Sequence, residues 1–209
     1  MARYTGPACH LCRYLGEKLT LKGERCFTPK CPLEKKKAPP RGRSSAQRRR
    51  ISDRGLQLRE KQKVRFSYGV LERQFRRFFA IAAKTPGPTG DNLLILLERR
   101  LDNVAYRLGF ANSRSQARQI VQHGHVLVNG RKVDIPSYLV KQGDIIKWRE
   151  ASMKTEYYKR LTEEINDKGT PSWLSLDEGK LTGSILALPA KDDLDPRFNI
   201  NAIVKYYSR

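Results

Sequence analysis

The stretch that decides the fold runs from Arg100 to Asp144 and reads RLDNVAYRLGFANSRSQARQIVQHGHVLVNGRKVDIPSYLVKQGD. Its apolar residues first recur every three or four positions, which predicts helix, and then every two positions, which predicts strand. A basic helix, a short capped basic helix and a tight hairpin therefore follow one another along this stretch. We expect them to build a small αβ module whose two helices present arginines to a phosphate backbone.

The first helix of this module is predicted to begin near Asp91 and to end at Gly109. Arg100, Asn103 and Arg107 fall at positions i, i+3 and i+7, so they should share one polar face that carries two arginines. The opposite, buried stripe should consist of apolar residues at helical spacing: Leu93, Leu97, Leu101, Val104 and Leu108.

The second helix is short and opens with a capping-box pattern, Ser113-x-x-Gln116. We expect Arg114 and Arg118 to lie one turn apart on its outer face and Gly124 to end it. The side chains that should point inward are Ala117, Ile120 and Val121. His123 and His125 flank Gly124 and are interpreted as turn residues or phosphate neighbours.

A hairpin follows at Asn129-Gly130, because a type I′ turn needs a positive φ at both central residues and this dipeptide adopts it readily. Val126 and Val128 lead into the turn, and Arg131 and Lys132 start the return strand. Further strands are predicted at Ser137–Val140 and Ile145–Trp148, around a turn at Gly143-Asp144.

The flanking sequence is mainly helical on the N-terminal side. Helices are predicted from about Ser52 to just before Gly69 and from about Leu71 to Lys84, the second with an aromatic core face. The run TPGPTG at 85–90 should break that helix and mark a domain boundary. Beyond the module we expect a helix near Ser152–Ile165, strands at Ser172–Leu176 and Leu181–Leu188, and a helix at Asn199–Tyr207.

The charge of the chain is strongly positive and unevenly placed. The net charge is +21 at a pI near 10.2, and it divides into +16 over residues 1–77, +5 over 78–150 and zero over 151–209. This gradient indicates that the first two-thirds of the chain engage a polyanion. No apolar run approaches a transmembrane length and no signal-peptide core is present, so we expect a cytosolic protein without disulfides.

All four cysteines lie near the N-terminus, as Cys9, Cys12, Cys26 and Cys31, with the spacing C-x2-C-x13-C-x4-C. Two close thiolate pairs separated by a loop can surround one tetrahedral metal ion. Because a segment of this size has too little apolar content for its own core, the metal would supply its folding energy. We predict Zn2+, with a [4Fe-4S] cluster as the alternative that the spacing leaves open.

A basic arm follows the cysteines, with the sequence EKKKAPPRGRSSAQRRR at 34–50. We predict that RNA binding rests on basic side chains of this arm, of the helix after it and of the αβ module. The candidates are Arg41, Arg43, Arg48, Arg49, Arg50, Arg54, Arg59, Lys61, Lys63, Arg100, Arg107, Arg114, Arg118, Arg131 and Lys132. Phosphate contacts should drive the binding, and RNA shape should be read through backbone and 2′-hydroxyl groups.

The stretch Arg100–Asp144 resembles the RNA-binding domain that is named after small-subunit ribosomal protein four. The runs RYTGPACHLCR, LKGERCFTPKCPLEKK, LREKQKVRFSYGVLERQFRRFF and the terminal KYYSR extend the resemblance to the bacterial family of that ribosomal protein over nearly the whole chain. The four cysteines match its cysteine-containing, metal-binding form.

The resemblance implies a non-enzymatic structural protein of the small ribosomal subunit. Members of the family bind 16S ribosomal RNA at a helix junction of the 5′ domain and nucleate assembly of the subunit body. They also line the channel through which messenger RNA enters, and they contact small-subunit ribosomal protein five in a way that affects decoding accuracy. The arm residues from Arg41 to Arg50 occupy the position that would face the messenger RNA.

The predicted fold class is α+β. A four-cysteine metal module and basic arm at 1–45 precede an all-helical domain of 46–98 with 190–209. Inserted in the helical domain is the αβ RNA-binding domain at 99–189, with its core module at 99–150, in which two short helices pack on a small, mostly antiparallel sheet.

Two rival classes are disfavoured by the sequence. An RNA-modifying enzyme that carries this module as an accessory would need a large catalytic domain, and no P-loop, HExxH, GxSxG or Rossmann pattern is present. A zinc-dependent DNA-binding regulator would need a helix–turn–helix, which the pattern does not show.

Overall fold

The computed structural model describes residues 3–35, 51–165 and 169–208. The chain divides into two compact units, one formed by residues 1–93 with 195–209 and the other by residues 94–194. The three-part division predicted above stays a prediction in its boundaries. Five candidate RNA-binding residues lie outside the described residues: Arg41, Arg43, Arg48, Arg49 and Arg50.

The first unit is helical in its described part. It contains α1 (Ala8–Leu15), a 3-10 turn (Gly23–Phe27), α2 (Asp53–Ser67), α3 (Glu72–Lys84), the start of α4 (Thr89–Glu98) and the C-terminal helix, which is called α9 below (Ile200–Tyr207). The predicted helix starts are confirmed. The hydroxyl of Ser52 accepts the N–H of Gly55 at 3.2 Å, and the amide oxygen of Asn199 accepts the N–H of Ala202 at 3.2 Å.

The aromatic side chains of this unit form its core. α9 packs along α2, and Tyr207 on α9 stacks against Phe75 and Phe79 of α3 at ring-centroid distances of 6.2 and 4.5 Å. Phe75 is completely buried and Phe78 is 5% exposed. The predicted core role of these phenylalanines is therefore confirmed, and α9 is fixed by the same cluster.

The second unit combines helices with one sheet, as the α+β class predicts. Its helices are the end of α4, α5 (Leu101–Arg107), α6 (Arg114–Gln122), α7 (Glu150–Met153) and α8 (Glu156–Glu164). Its five described strands are β1 (Val126–Val128), β2 (Arg131–Lys132), β3 (Ile145–Trp148), β4 (Leu174–Asp177) and β5 (Thr182–Ile185). They pair antiparallel in the order β2-β1-β3-β5-β4, with Val126 opposite Trp148 and Ile146 opposite Gly183.

The hairpin prediction is confirmed in detail. Asn129 and Gly130 have φ angles of 50° and 78°, as a type I′ turn requires. The side chain of Asn129 also joins the turn to the next strand, because its amide nitrogen donates to Oδ1 of Asp144 at 2.8 Å and its oxygen accepts the N–H of Ile145 at 2.9 Å. The hairpin and the Gly143-Asp144 turn are thereby held side by side.

The predicted continuous helix from Asp91 to Gly109 is wrong, because the chain breaks at Arg99-Arg100 into α4 and α5. Arg100 is extended, with φ −67° and ψ 136°. The backbone here bonds to a distant segment: the N–H of Leu101 donates to the carbonyl of Tyr138 at 2.8 Å, and the N–H of Val140 donates to the carbonyl of Arg99 at 2.9 Å. These long-range hydrogen bonds take the place of helical ones at the break.

Two further boundaries differ from the predictions. Ser137–Val140 is not a strand, since within it only Leu139 forms a bridge, with Arg100. The helix expected near Ser152–Ile165 is split into α7 and α8, because the hydroxyl of Thr155 accepts the N–H of Tyr158 and starts a new helix. No helix of the described residues is long and apolar enough to cross a membrane.

Candidate RNA-binding surface and cysteine cluster

Two of the predicted RNA-binding arginines lie inside the αβ unit. Arg100 is completely buried, and its Nε and Nη2 donate to the two carboxylate oxygens of Asp102 at 3.0 and 2.6 Å. Arg118, which is 6% exposed, donates from Nη1 to the same carboxylate at 3.1 Å. The expectation that Arg118 lies on the outer face of α6 is therefore wrong. Arg100 is not part of a helical face at all, because the chain breaks there.

A second buried carboxylate, that of Glu98, binds Arg107. Glu98 is completely buried, and Arg107 donates to both of its carboxylate oxygens, from Nε at 3.0 Å and from Nη2 at 2.7 Å. The amide nitrogen of Asn103 donates to the same carboxylate at 2.7 Å. The Arg107 side chain is 25% exposed, so this fixed side chain still reaches the surface.

Arg114 sits at the start of α6 in a fixed orientation. Its Nε donates to the amide oxygen of Asn103 at 2.7 Å, and its guanidinium lies 4.7 Å from the ring centroid of Tyr106. Asn103 thus links Glu98 to Arg114, one helix to the next. An arginine that is held by a hydrogen bond and by an aromatic ring loses less conformational entropy when it binds a phosphate.

The remaining basic residues of the unit are at its surface. Arg131 and Lys132 form β2, the return strand that was predicted for them, and both are exposed. Lys132 is 3.9 Å from Asp134, a weak surface pair. Sequence reasoning missed Lys147 and Arg149, which are exposed at the end of β3. The sequence signal for Lys147 is its place between Ile146 and Trp148, because the residue between two inward-facing apolar residues of a strand points outward.

In the helical unit, two of the predicted RNA-binding residues are exposed and two are buried in ion pairs. Arg54 and Arg59 are exposed on α2. Lys61 is 3% exposed and pairs with Glu72 at 2.8 Å, while Lys63 is 8% exposed and pairs with Glu17 at 2.7 Å. Exposed arginines that were left out of the set lie on α3, opposite its phenylalanine face: Arg73, Arg76 and Arg77.

Glu72 is the acid around which the basic residues of this unit gather. Burial acts to raise the pKa of its carboxyl, but hydrogen bonds from Lys61 and Tyr207 and the charges of Lys61 and Arg65 outweigh burial, so the pKa is lowered. The Tyr207 hydroxyl donates to Glu72 at 2.9 Å. Lys61 also lies 4.7 Å from the ring centroid of Tyr206. These contacts make Lys61 a structural residue of the α2–α9 interface.

The four cysteines are brought towards one another by α1 and the 3-10 turn. Cys12, Cys26 and Cys31 are 8%, 7% and 6% exposed, Cys9 is half-buried, and all four are free thiols. Burial raises the pKa of Cys12, a hydrogen bond from the Leu19 backbone opposes this, and the charges of the other three cysteines raise the pKa further.

The donor chemistry of this cluster fits a thiolate-binding metal. The N–H of Lys22 donates to Sγ of Cys26 at 3.4 Å, which is a typical outer contact of a metal-bound thiolate. The arrangement of the side chains is not that of a loaded site, because among the described residues no group of three or more His, Cys, Asp or Glu is placed to hold a metal ion.

The fold and the surface define a class of protein: an α+β, strongly basic RNA-binding protein in which a small αβ module carries ordered arginines. Comparison with known proteins agrees with this class. Residues 3–98 match the family described as Ribosomal protein S4/S9 N-terminal domain, and residues 99–146 match the S4 domain.

Full-length relatives narrow the class to one family. The chain is 57% identical to the small ribosomal subunit protein uS4 of Dehalococcoides mccartyi, 52% identical to that of Halothermothrix orenii and 53% identical to uS4A of Symbiobacterium thermophilum. Each comparison covers 100% of both chains. The chain therefore belongs to the uS4 family of small-subunit ribosomal proteins, which is a family of structural proteins and not of enzymes.

Proposed function

We propose that this chain is a structural protein of the small ribosomal subunit in the cytoplasm and that it binds small-subunit ribosomal RNA directly. Membership of the uS4 family supports ribosomal RNA as the partner. The proposed mechanism, phosphate binding by basic side chains, rests on the ordered and partly exposed Arg107 and Arg114 and on the exposed hairpin residues Arg131 and Lys132. Neighbouring ribosomal proteins are the expected protein partners.

Binding proceeds through phosphates and RNA shape. The major groove of A-form RNA is too deep and narrow for side chains, so an arginine that is already fixed at the surface reads the backbone instead. Glu98 holds Arg107 and Asn103 holds Arg114 before RNA binds, which reduces the entropy lost on binding. The exposed hairpin residues add positive charge, which makes the affinity for RNA depend on the salt concentration.

Finer roles follow from the family resemblance. The chain binds a helix junction in the 5′ domain of 16S ribosomal RNA and nucleates assembly of the subunit body. Its basic arm faces messenger RNA at the channel through which that RNA enters the subunit. A contact with small-subunit ribosomal protein five affects decoding accuracy. The net charge of +16 over residues 1–77 supports the arm's part in this proposal.

Cys9, Cys12, Cys26 and Cys31 are proposed to hold one Zn2+ ion. When bound, the ion would neutralise four thiolates that otherwise repel one another and would stabilise residues that have little apolar core of their own. The burial of three of the four thiols and the Lys22 N–H beside Cys26 support this donor set. A [4Fe-4S] cluster is the alternative occupant.

The test of RNA binding is a competition measured over a range of salt concentrations. A 5′-domain fragment of small-subunit ribosomal RNA competes with an unrelated structured RNA of equal length for the full chain. We expect a strong preference for the ribosomal fragment that survives at high salt. Equal binding of both RNAs that vanishes together as salt rises would contradict the proposal, because charge alone would then explain the affinity.

The test of the metal is elemental analysis of the purified full chain, combined with absorption spectroscopy. One equivalent of zinc and no visible absorption are expected, whereas iron with visible absorption would identify the cluster instead. Cys26→Ser should abolish metal retention, and the matched variant His10→Ala, next to Cys9, should retain it. A metal-free wild-type chain that keeps the amide exchange protection of residues 8–15 would overturn the proposal.

A further inference from the structure

A cavity of about 240 Å³ opens in the αβ unit beside α6, and no function described so far uses it. Its walls are largely aromatic: His123 and His125 lie just after α6, Trp148 ends β3, and Tyr157 is on α8. The His125 ring centroid lies 5.9 Å from that of His123 and 6.2 Å from that of Trp148. His123 is exposed, and His125 and Tyr157 are half-buried, so these three rings give the cavity accessible aromatic surface, whereas Trp148 is 1% exposed.

Two of the aromatic side chains at the cavity, those of His125 and Tyr157, are fixed by hydrogen bonds. Nδ1 of His125 is 2.8 Å from the hydroxyl of Ser152, and the hydroxyl of Tyr157 donates to the carbonyl of Phe110 at 2.8 Å. Burial raises the pKa of Tyr157 to about 12, so its hydroxyl stays a donor at neutral pH. The rings of His125 and Tyr157 are therefore positioned before a flat ligand binds.

Two glutamines supply polar groups at the cavity. Gln116 uses its amide oxygen to accept the N–H of Asn112 at 3.0 Å, which leaves its amide nitrogen as a donor. Gln119 is exposed and forms no side-chain hydrogen bond with another described residue, so it offers both a donor and an acceptor. An amide group next to π surfaces is suited to the edge of a heterocyclic base.

Two basic residues, Lys132 and Arg149, do not line the cavity but lie next to Gly124 and Trp148, and they are called its rim below. Gly124 separates the two histidines, and a Cβ added there would meet Cε of Lys132 at 2.2 Å, so the lysine side chain passes directly over this glycine. Arg149 is exposed beside Trp148. Burial, the charge of His123 and the charge of Arg149 lower the pKa of His125. A phosphate attached to a ligand in the cavity would meet Lys132 or Arg149 at the rim.

We propose that this cavity binds one unpaired base of the RNA, with its phosphate at the Lys132 and Arg149 rim. The inference rests on the proposed RNA-binding function and gives it a base-specific contact. Cavities that hold drug-sized ligands have roughly 300–1,000 Å³, so this smaller one suits a single ring system. Unstacked RNA bases are the parts of RNA that proteins stack on aromatic side chains and recognise at their edges.

The experiment combines changes in the RNA with changes in the full-length protein. Abasic sites are placed one at a time at the unpaired positions of the 5′-domain fragment of small-subunit ribosomal RNA. Each RNA is titrated with the wild type and with Gln119→Ala/His123→Ala, whose two side chains are both exposed, so that the fold is retained. Gln122→Ala is the matched control, because it lies on the same helix but does not line the cavity.

For the wild type and the Gln122→Ala control, one abasic position should lower the affinity for the RNA about tenfold, which corresponds to the loss of one stacked base. The cavity variant should bind the intact RNA about tenfold more weakly and should be insensitive to that same abasic site. The inference is overturned if no abasic site loses its effect in the cavity variant while the ribosomal fragment still binds specifically. Failure of specific binding itself would overturn the proposed function and the inference with it.

Discussion

Two groups of basic residues in the αβ unit look alike in the sequence and differ in the structure. Arg100 and Arg118 share one buried carboxylate, that of Asp102, whereas Arg131 and Lys132 stand exposed on the hairpin. The first group satisfies a charge inside the fold. The second group is available to a phosphate backbone. The difference shows that a high density of arginine indicates an RNA-binding protein without telling which arginines bind RNA.

The burial of the neighbouring carboxylates explains why some basic side chains are buried and others are exposed. Asp102 and Glu98 are almost completely buried, and each forms ion pairs with the neighbouring guanidinium groups. A buried carboxylate without a partner would cost several kcal/mol, so Arg100 and Arg118, which share the carboxylate of Asp102, are committed to the fold. Arg107, which is held by Glu98, keeps a side chain that is 25% exposed. Asp134, near Lys132, is itself exposed and holds the lysine only weakly.

The largest expected effect comes from Asp102→Ala. Two buried guanidinium groups would lose their common carboxylate, and the free energy of unfolding should fall by about 3–5 kcal/mol. Urea unfolding followed by circular dichroism measures the change. The matched control is Asp134→Ala, which should change stability by less than about 0.5 kcal/mol because that carboxylate is exposed. Equal losses in the two variants would remove the distinction between the groups.

A smaller loss is expected from Glu98→Gln. One oxygen that now accepts from Arg107 or Asn103 would be replaced by an N–H2 group, so a charge-assisted hydrogen bond is lost while the shape is kept. We expect a loss of about 1–3 kcal/mol in the same urea experiment. Glu163→Gln on the exposed side of α8 is the control and should be neutral. A stability equal to the wild type would show that Glu98 does not hold Arg107 in solution.

A weaker effect should appear with pH through His125, whose pKa is lowered by burial, by His123 and by Arg149. Below about pH 6.5 the unfolded chain takes up a proton at this position before the folded chain does, so stability should fall as the pH drops through that value. His125→Asn should flatten this dependence between about pH 7.5 and 5.5. An unchanged slope of the urea midpoint against pH would exclude His125 as its source.

Much of the fold can be predicted from local signals. Ser52 and Ser113 mark helix starts because their side chains cap the next turn, and Asn129-Gly130 marks a hairpin because both residues accept a positive φ. These features depend only on neighbours in the chain. The strands β1, β3, β4 and β5 are short runs next to turn residues such as Asn129-Gly130 and Gly143-Asp144, which are also local signals, whereas their order in the sheet depends on contacts between distant segments.

The break at Arg99-Arg100 could not be predicted from local pattern. Leu97, Leu101 and Val104 continue the helical spacing across it, and no Gly or Pro marks it. The break is decided by hydrogen bonds to residues 136–140, about forty positions away, which sequence spacing does not reveal. The burial of Arg100 and Arg118 has the same cause, because it depends on where that break places Asp102.

The proposed metal module differs from the helix break, because it can be predicted from local sequence spacing. Four cysteines predict a site through their spacing alone, and the structure brings the thiols near one another through α1 and the 3-10 turn. A metal ion would be the strongest interaction available to so small a segment. The αβ unit, in contrast, has a continuous apolar core from Leu101 to Ile185.

The most direct test of the account compares the salt dependence of RNA binding for a matched pair, Lys132→Met and Arg118→Met, under conditions in which both variants are folded. Each is titrated with the 5′-domain fragment of small-subunit ribosomal RNA over a range of salt concentrations. The account predicts that Lys132→Met reduces the slope of log K against log salt by about 0.7–0.9, one phosphate contact, and that Arg118→Met leaves it unchanged. An equal reduction for Arg118→Met, or no reduction for Lys132→Met, would contradict it.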